Sequence, residues 1–421
     1  MAIDTPATIA ILGAGPIGLE AGLYARFMGY DVNIYERGQV ADNVLSWGHV
    51  KMFSPFGMNR STLGLAGLQA QDESWQAPSD DALLTGREWV ESYLLPLSRT
   101  DLVRPHVKEN THILGVTRKD QLKHERVCDE DRDETPFLLH FEDQERIQTA
   151  EADIVIDTTG TFGNHNWLGS GGLPAVGERV AGDRIRYDVP DFLGKDRDTY
   201  AGRQTLVVGA GYSAATNVLA LAKLAEVVPG TEVTWLVRGE RSPEEPIKRI
   251  ADDTLAERDN LATAVAAAVN CADNPIRFIS GSWVDTIKPA TDRDKLTVTT
   301  RGETEVELNC DQVIANVGYH GDRSLYEQLQ VHECYATGGP MKLAASLASQ
   351  TSADCLDQAA VGAESLMTTE PNFYILGSKS YGRDSRFLMS LGFEQIRELF
   401  GLIGGRATLN LYADVQGLLS K

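Results

Sequence analysis

The stretch Ile9–Gly18, IAILGAGPIG, decides the fold of this 421-residue chain. An apolar run of strand length ends in the pattern G-x-G-x-x-G, and Leu19–Met28 follows with a helical composition. The first glycine of such a turn bends the chain, the second admits a pyrophosphate, and the third lets the helix pack on the strand. The helix N-terminus favours phosphate through its free N–H groups and partial positive charge. The predicted dinucleotide-binding residues are Gly13, Gly15, Pro16, Ile17 and Gly18.

The next β-rich run, Asp31–Tyr35, ends directly before Glu36 and Arg37. A carboxylate at this point accepts a hydrogen bond from an adenosine ribose hydroxyl. A lone G-x-G-x-x-G is weak evidence for a dinucleotide site. Here it stands in the full order of a βαβ unit: a strand, the turn, a helix, a second strand and then an acidic residue. We therefore expect Glu36 and Arg37 at the adenosine end of the site.

A second copy of the pattern, Leu206–Ala214 (LVVGAGYSA), has alanine in the third glycine position. Its second strand, Val233–Val237, is followed by Arg238 where the first copy has Glu36. A carboxylate repels a 2′-phosphate, whereas a guanidinium binds it bidentately. The alternative is that Arg238 is a solvated strand-end residue. The pattern predicts NADP in preference to NAD, held by Gly209, Gly211, Tyr212, Ser213, Ala214, Arg238 and Arg241.

Different chemistry at the two strand ends indicates two different dinucleotides. A diffusible NADPH at the second turn leaves the first turn for a resident cofactor, for which FAD is the natural candidate. Further strands at Asp153–Thr159 and Asn372–Leu376 flank the second copy, as does a helical apolar face over Phe387–Ile403. The second unit is therefore expected to be an insert in the first.

We expect an α/β fold with two Rossmann-like dinucleotide-binding domains, each doubly wound and three-layered. The predicted FAD-binding domain comprises 1–198 and 329–421. The predicted NADP-binding domain is 199–328.

Two local patterns give further structural predictions. Thr85 begins Thr85–Leu97 and is placed to cap a helix. The charge-rich residues 118–134 lie between alternating runs at Thr111–Val116 and Phe137–Phe141. They are predicted to form a solvated hairpin tip.

The charge composition argues against two classes of binding partner. With 39 basic and 60 acidic residues the formal net charge is −21, which argues against nucleic acid and anionic membrane surfaces. The N-terminal residues lack a signal-peptide pattern, and no run of 18 apolar residues occurs, so a cytoplasmic protein is expected. The five cysteines are scattered, without CxxC, CxxxxC or zinc-type spacing, which fits reduced thiols and no metal site.

The order of motifs resembles the flavoproteins with two dinucleotide-binding domains. These include flavin-containing and N-hydroxylating monooxygenases and, in plan, thioredoxin reductase-like oxidoreductases. The matching pieces are GAGPIG with YERG, DTTG, VVGAGYSA with LVRG, VIANVGY and NFYILGSKSYGRDSRFLMSLGFEQIREL, which together span nearly the whole chain. The resemblance implies FAD in the first domain and NADPH in the insert, with the nicotinamide delivered against the flavin. It also suggests a homodimer.

The same resemblance assigns residues around the flavin. Gly160 would lie near the domain crossing, and 384–390 would pass the isoalloxazine. A helix beginning near Leu388 would aim its positive end at the flavin N1–C2=O edge. Asn59 lies roughly where flavin-containing monooxygenases carry an asparagine, and His49 is alternatively a structural hydrogen-bonding histidine. The implied cofactor-binding residues are Trp47, His49, Gly160, Asp384, Phe387 and Leu388; the candidate catalytic residues are His49 and Asn59.

Both branches of the superfamily match imperfectly. The disulfide-reductase branch needs a redox-active cysteine pair, which only distant residues such as Cys334 and Cys355 would supply here. The monooxygenase branch carries a fingerprint similar to FxGxxxH shortly before the second turn. This chain has Asp198 in the histidine position of that fingerprint. Ser378 also stands where many relatives carry an aspartate.

We therefore expect an FAD-dependent, NADPH-consuming oxidoreductase. The favoured reaction is a monooxygenation of a small molecule by molecular oxygen through a flavin C4a-(hydro)peroxide. One alternative is an NADPH-dependent flavin reductase that passes electrons to a quinone, a redox protein or another acceptor. A second is a non-catalytic flavin-fold binding protein, against which the intact glycines of both turns argue.

Overall fold

The computed structural model describes residues 3–272, 276–290, 295–350 and 362–419. The chain divides into two units, each described separately. Unit 1 combines Met1–Asn164 with His320–Lys421, and unit 2 is His165–Tyr319. The first bound comes earlier than the expected 198 because the strand Ile185–Arg186 pairs within the sheet of unit 2. The second comes earlier than the expected 328 because Leu325 and Tyr326 pack into a core of unit 1.

The strands of the described residues are numbered in chain order. They are β1 (Thr8–Leu12), β2 (Asp31–Tyr35), β3 (Val107–Lys108), β4 (Thr111–Arg118), β5 (Phe137–Asp143), β6 (Arg146–Ala152), β7 (Ile154–Asp157), β8 (Ile185–Arg186), β9 (Gln204–Val208), β10 (Glu232–Leu236), β11 (Ile276–Ile279), β12 (Ser282–Pro289), β13 (Leu296–Gly302), β14 (Glu307–Cys310), β15 (Gln312–Ala315) and β16 (Phe373–Ile375).

The helices are numbered in the same way. They are α1 (Pro16–Met28), α2 (Asp42–Ser46), α3 (Thr62–Gln71), α4 (Gly86–Trp89), α5 (Leu95–Ser98), α6 (Glu130–Glu134), α7 (Arg197–Tyr200), α8 (Tyr212–Val227), α9 (Ala256–Asn270), α10 (Met341–Ala348), α11 (Met389–Ile403) and α12 (Leu411–Leu419). Helix α4 begins with the predicted cap: the Thr85 hydroxyl accepts from Glu88 N–H, and the Glu88 carboxylate accepts from Thr85 N–H. Within the described ranges, no helix is long and apolar enough to span a membrane.

The central sheet of unit 1 is parallel, with described strands in the order β16-β7-β1-β2-β3. Side chains alternate between its two faces. Ile9 and Ile11 pack into the core shared with α1 and α11, whereas Ala10 and Leu12 pack against the antiparallel sheet β4-β5-β6. Helices, parallel sheet and antiparallel sheet therefore form three layers.

Unit 2 repeats this architecture around a parallel sheet ordered β11-β10-β9-β15-β8 in the part of the chain that the structure describes. Val207 packs into the core shared with α8, while Leu206 and Val208 face the antiparallel sheet β12-β13-β14. The predicted fold class, two three-layered Rossmann-like α/β units, is confirmed.

The charged segment 118–134 is not simply a solvated hairpin tip, so that prediction is corrected. Arg118 and Arg132 are each about 1% exposed. Their guanidinium groups both donate to Glu370, at 2.8 Å from Arg118 Nε and 2.7 Å from Arg132 Nη2. A carboxylate from the C-terminal part of the chain thus compensates two buried cations, which a local charge pattern cannot indicate.

Candidate functional site

The first glycine turn requires glycine at two of its three glycine positions, Gly13 and Gly18. Gly13 has a φ of +96°, which favours glycine, and its N–H donates to Tyr35 O at 2.7 Å. A Cβ on Gly18 would lie 1.9 Å from Gly13 O and 2.7 Å from Thr158 Oγ1. At Gly15, by contrast, no described heavy atom comes within 4 Å of a Cβ position. The backbone at the N-terminus of α1 is therefore open to a ligand.

Glu36 is held at the end of β2 by two backbone donors. Its carboxylate accepts from Ala14 N–H at 2.8 Å and from Gly38 N–H at 2.9 Å. One cleft is lined by Gly13, Glu36, Arg37 and Gly160, so the structure brings these predicted residues together. An open turn with a fixed acid beside it fits the adenosine diphosphate part of FAD.

The N-terminal ends of α1 and α11 meet at Ile17. A Cβ on Gly392 of α11 would lie 2.3 Å from Ile17 Cδ1, and one on Gly377 would lie 3.3 Å from Ile17 Cγ1. Leu388 is the N-cap residue of α11. Two partial positive charges therefore converge, as the cradle of a pyrophosphate and an electron-accepting ring requires.

The segment before α11 is fixed by an ion pair. The Asp384 carboxylate lies 2.5 Å from Arg386 Nη2. Burial alone would raise the pKa of Asp384, but the hydrogen bonds from Arg386 lower it below its ordinary value. Phe387 packs its ring against Tyr381 with centroids 5.3 Å apart. Asp384 thus shapes the loop, and Phe387 supplies apolar surface.

The candidates from the segment after β2 lie in different environments. Trp47 packs across Gly86, where a Cβ would lie 2.6 Å from Trp47 Cζ3. His49 is exposed. The Asn59 side chain is buried, and its Nδ2 donates to Ser54 O at 3.1 Å and Pro55 O at 3.0 Å. Asn59 therefore fixes its own loop, and its catalytic role stays a prediction.

The second turn keeps the strained first glycine but relaxes the third position. Gly209 has a φ of +138°, and a Cβ there would lie 2.2 Å from Asn316 O. Gly211 is as open as Gly15, with no described heavy atom within 4 Å of a Cβ position. Ala214 is fully buried in the core between α8 and the sheet. This turn also presents open backbone at a helix N-terminus.

Arg238 and Arg241 are exposed beyond the end of β10. Among the described residues, neither guanidinium has an ion-pair partner. Glu240 stands between them in sequence, and its hydrogen bond and negative charge raise the pKa of Glu303. The two arginines are therefore available to an anionic ligand beyond the end of β10.

Sequence reasoning missed a buried ion pair at the end of β7. Lys379 Nζ lies 2.5 Å from Asp157 Oδ2 and 3.0 Å from Thr159 Oγ1, and both charged side chains are at most 2% exposed. The pair fixes the backbone that leads into Gly160. Asp157 and Lys379 are 222 positions apart in the sequence. The only sequence feature that could have indicated the pair is a lysine directly after Gly377 and Ser378, close to the end of β16.

The described cysteines are dispersed. Cys128 and Cys271 are exposed, and Cys334 is partly buried. Cys310 is buried, which raises its pKa to about 12. Cys355, the other member of the distant pair considered above, lies outside the described residues. The described ranges contain no group of three or more potential metal ligands.

The fold and the two turns define a two-domain dinucleotide-binding oxidoreductase. The chain belongs to the pyridine nucleotide-disulphide oxidoreductase family, whose model matches residues 10–343. The predicted resemblance to flavoproteins with two dinucleotide-binding domains is confirmed, and family and fold indicate a flavin-dependent oxidoreductase. No curated protein matches the chain in sequence.

Solved structures of both branches share the fold. A bacillithiol disulfide reductase from Bacillus cereus is 19% identical, with a TM-score of 0.65 over 95% of this chain and 99% of its own. The FAD-bound cadaverine monooxygenase of desferrioxamine biosynthesis from Erwinia amylovora is 12% identical, with a TM-score of 0.64 over 97% of this chain and 96% of its own. An ornithine N-hydroxylase from Kutzneria sp. 744, with reduced FAD and NADP⁺, is 15% identical, with a TM-score of 0.61 over 95% of this chain and 99% of its own. The predicted FAD and NADPH agree with the family and with these two ligand-bound structures.

Proposed function

We propose that the protein is an FAD-dependent monooxygenase that consumes NADPH and molecular oxygen to oxygenate a small molecule. The carrying observation is the convergence of the α1 and α11 N-termini on Ile17, beside open backbone at Gly15. When bound there, the flavin would take a hydride from NADPH and pass electrons to oxygen.

The chain's own residues would bind and orient the cofactors. Backbone at the first turn would receive the pyrophosphate, and Glu36 would accept from the ribose of FAD. The N-terminus of α11 would stabilise negative charge on the ring, while Phe387 and Leu388 would exclude water. The proposed FAD-binding residues are Gly13, Gly15, Pro16, Ile17, Gly18, Glu36, Arg37, Trp47, His49, Gly160, Asp384, Phe387 and Leu388.

Unit 2 would bind NADPH. Gly209 and Gly211 would let backbone approach its pyrophosphate, and the exposed Arg238 and Arg241 would hold the 2′-phosphate. A guanidinium without an ion-pair partner at this point supports NADPH over NADH. The remaining proposed contacts are Tyr212, Ser213 and Ala214.

The cysteine distribution favours oxygen as the electron acceptor. A disulfide reductase of this family needs a thiol pair beside its cofactors, yet the sequence has no CxxC or CxxxxC. Cys310 is buried in β14 with a raised pKa, which makes it a poor nucleophile.

A second candidate is an NADPH-dependent reductase with an external acceptor. The family match and the likeness to a bacillithiol disulfide reductase favour it. In such an enzyme a quinone, a redox protein or a small disulfide would take the electrons in place of oxygen.

Oxygen consumption distinguishes the two candidates. The purified holoprotein is supplied with NADPH and panels of amines, thioethers and ketones, and NADPH oxidation, oxygen uptake and hydrogen peroxide are followed together. A monooxygenase gives substrate-dependent oxygen uptake equal to NADPH consumed, with little peroxide. Substrate-dependent NADPH oxidation without oxygen uptake contradicts it, and fast anaerobic turnover with a quinone or disulfide favours the reductase. Protein that stays colourless with added FAD contradicts both.

A further inference from the structure

The carbonyl oxygen of the first glycine is held by a different donor in each turn. At the second turn, Trp235 Nε1 donates to Gly209 O at 2.8 Å. At the first turn, Thr158 Oγ1 donates to Gly13 O at 3.1 Å. By strand register, the position of Trp235 is taken in unit 1 by Ile34, whose side chain has no donor. The two units therefore hold the same carbonyl with unrelated side chains.

Asn316 explains why unit 2 needs another donor. It stands directly after β15, just as the donor of unit 1 stands directly after β7. Its Nδ2 donates to Asp188 O at 3.1 Å, and its Oδ1 accepts from Asn217 of α8 at 2.7 Å. Because the side chain of Asn316 is engaged away from the turn, Gly209 O depends on Trp235.

The indole of Trp235 is fixed by its surroundings. It is fully buried in the core that α8 shares with the sheet, and Phe278 meets it edge-on with ring centroids 5.3 Å apart. A buried N–H without an acceptor costs about 1–3 kcal/mol, so the hydrogen bond to Gly209 O is strongly favoured. The carbonyl of Gly209 is thereby turned toward the buried indole.

The peptide between Gly209 and Ala210 passes this orientation on. The peptide is trans, so its C=O and N–H point in opposite directions. With Gly209 O toward the indole, Ala210 N–H points away from it. Ala210 is exposed, and among the described residues its N–H has no hydrogen-bond acceptor. The second turn therefore presents a fixed, open donor.

The first turn shows what the corresponding N–H contacts. There, Ala14 N–H donates to the carboxylate of Glu36, the residue directly after β2, at 2.8 Å. The strand end after β10 offers no such acceptor, because Val237 is apolar and Arg238 is itself a donor. An anion at this strand end would accept from Ala210 N–H and from the Arg238 guanidinium together.

The charges beyond β10 do not by themselves select an anion. Arg238 and Arg241 are exposed cations without an ion-pair partner in the described part of the chain. Glu240 and Glu303 carry as many negative charges, although their carboxyl groups hydrogen-bond to each other and not to an arginine. The four formal charges cancel, so a directed N–H adds recognition that net charge does not supply.

We propose that Trp235 is a positioning residue that aims Ala210 N–H at the 2′-phosphate of NADP, beside Arg238. This inference rests on the proposed function, because it takes NADP as the ligand of unit 2. It assigns part of the choice between NADP and NAD to a buried side chain that has no contact with the ligand.

Isothermal titration of the full-length holoprotein with NADP⁺ and NAD⁺ tests the proposal, because these ligands differ only in the 2′-phosphate. The measured quantity is the Kd for NAD⁺ divided by the Kd for NADP⁺. Trp235→Phe removes the N–H and should lower this ratio about fivefold, which corresponds to about 1 kcal/mol for one hydrogen bond. Replacing Trp235 with 3-benzothienylalanine, which has sulfur in place of the N–H, should give the same loss without a cavity.

Phe278→Leu is the matched control, because it removes aromatic packing from the same core and keeps the hydrogen bond to Gly209 O. Its ratio should stay within about twofold of the wild type, and thermal unfolding reports the stability of every variant. An equal fall of the ratio in Phe278→Leu overturns the proposal, since core packing then sets the preference. If the wild type prefers NADP⁺ and the benzothienylalanine variant keeps that ratio, only this proposal fails. If the wild type shows no preference, the NADPH assignment fails with it.

Discussion

The two glycine turns have the same backbone plan but differ at the third position. At the first turn, a methyl group on Gly18 would overlap Gly13 O at 1.9 Å. At the second, Ala214 carries that methyl group and buries it in the core of unit 2. The first turn therefore has no room for a methyl group at its third position, whereas the second turn does.

The residues that follow the second strand of each unit, Glu36 and Arg238, also differ between the two turns. Glu36 turns inward and accepts two backbone N–H groups, so its carboxylate is fixed before any ligand arrives. Arg238 extends into solvent without an ion-pair partner in the described part of the chain. A preorganised acid costs little ordering when a ligand binds, whereas an exposed arginine without an ion-pair partner must be ordered by its ligand. Equal motifs therefore do not mean equal sites.

The largest expected effect comes from exchanging the third residues. Gly18→Ala should destabilise unit 1 by about 3 kcal/mol and abolish FAD retention, because backbone at the turn must move to admit the methyl group. Ala214→Gly is the matched control and should cost only about 1 kcal/mol, with FAD retained. Thermal unfolding and flavin absorbance per protein measure both. Equal losses in the two variants would remove the distinction between the turns.

The helices behind the turns predict a pH difference. α1 buries Glu20, whereas α8 has the partly exposed Thr216 at the corresponding position. Burial raises the pKa of Glu20 from 4.5 to about 7, with smaller opposing effects from Ser61 and Tyr412. The raised folded-state pKa means that this contribution to stability is complete below pH 4.5 and is lost as the pH rises through 7.

Glu20→Gln should remove that dependence. Relative to the variant, the wild type should lose about 2.5 kcal/mol between pH 5 and pH 8, as a pKa shift of this size implies. Urea unfolding at both pH values measures the difference. Thr216→Val in α8 serves as the control and should leave the pH dependence of the wild type unchanged. Parallel pH profiles for wild type and Glu20→Gln would show that Glu20 does not titrate in this way.

The smallest effect is expected at the second strand end. Arg238→Ala should raise the apparent KM for NADPH about 30-fold, which corresponds to about 2 kcal/mol for lost charged hydrogen bonds. The KM for NADH should not change, because NADH has no 2′-phosphate. Steady-state kinetics with both cofactors measures this. Equal effects on the two cofactors would contradict the argument for NADP.

The elements that depend on neighbours in sequence were predictable. Strand β2 begins and ends at the expected residues, and Thr85 caps its helix as expected. The glycine turns were also predictable, because a positive φ and a helix start leave a local pattern. Of the candidate site, Gly13, Glu36, Arg37 and Gly160 come together on one cleft.

The features that depend on distant partners were not predictable. Glu370 pairs with Arg118 across 252 positions and, together with Arg132, forms a buried charge cluster within a segment that is otherwise largely exposed. Lys379 and Asp157 likewise meet only in the folded unit. A charged residue has the same local pattern whether it is solvated or paired, so sequence spacing cannot distinguish the two.

The sequence by itself determined the two βαβ units, the class of cofactors and the opposite charges at the strand ends. These follow from short-range backbone requirements, which glycines and strand-end residues express directly. Only the tertiary structure decided that α1 and α11 meet at Ile17, and that the third position of the turn has room for a methyl group at Ala214 but not at Gly18. Each of those depends on which strands lie side by side, and strand order is set by packing of the whole unit.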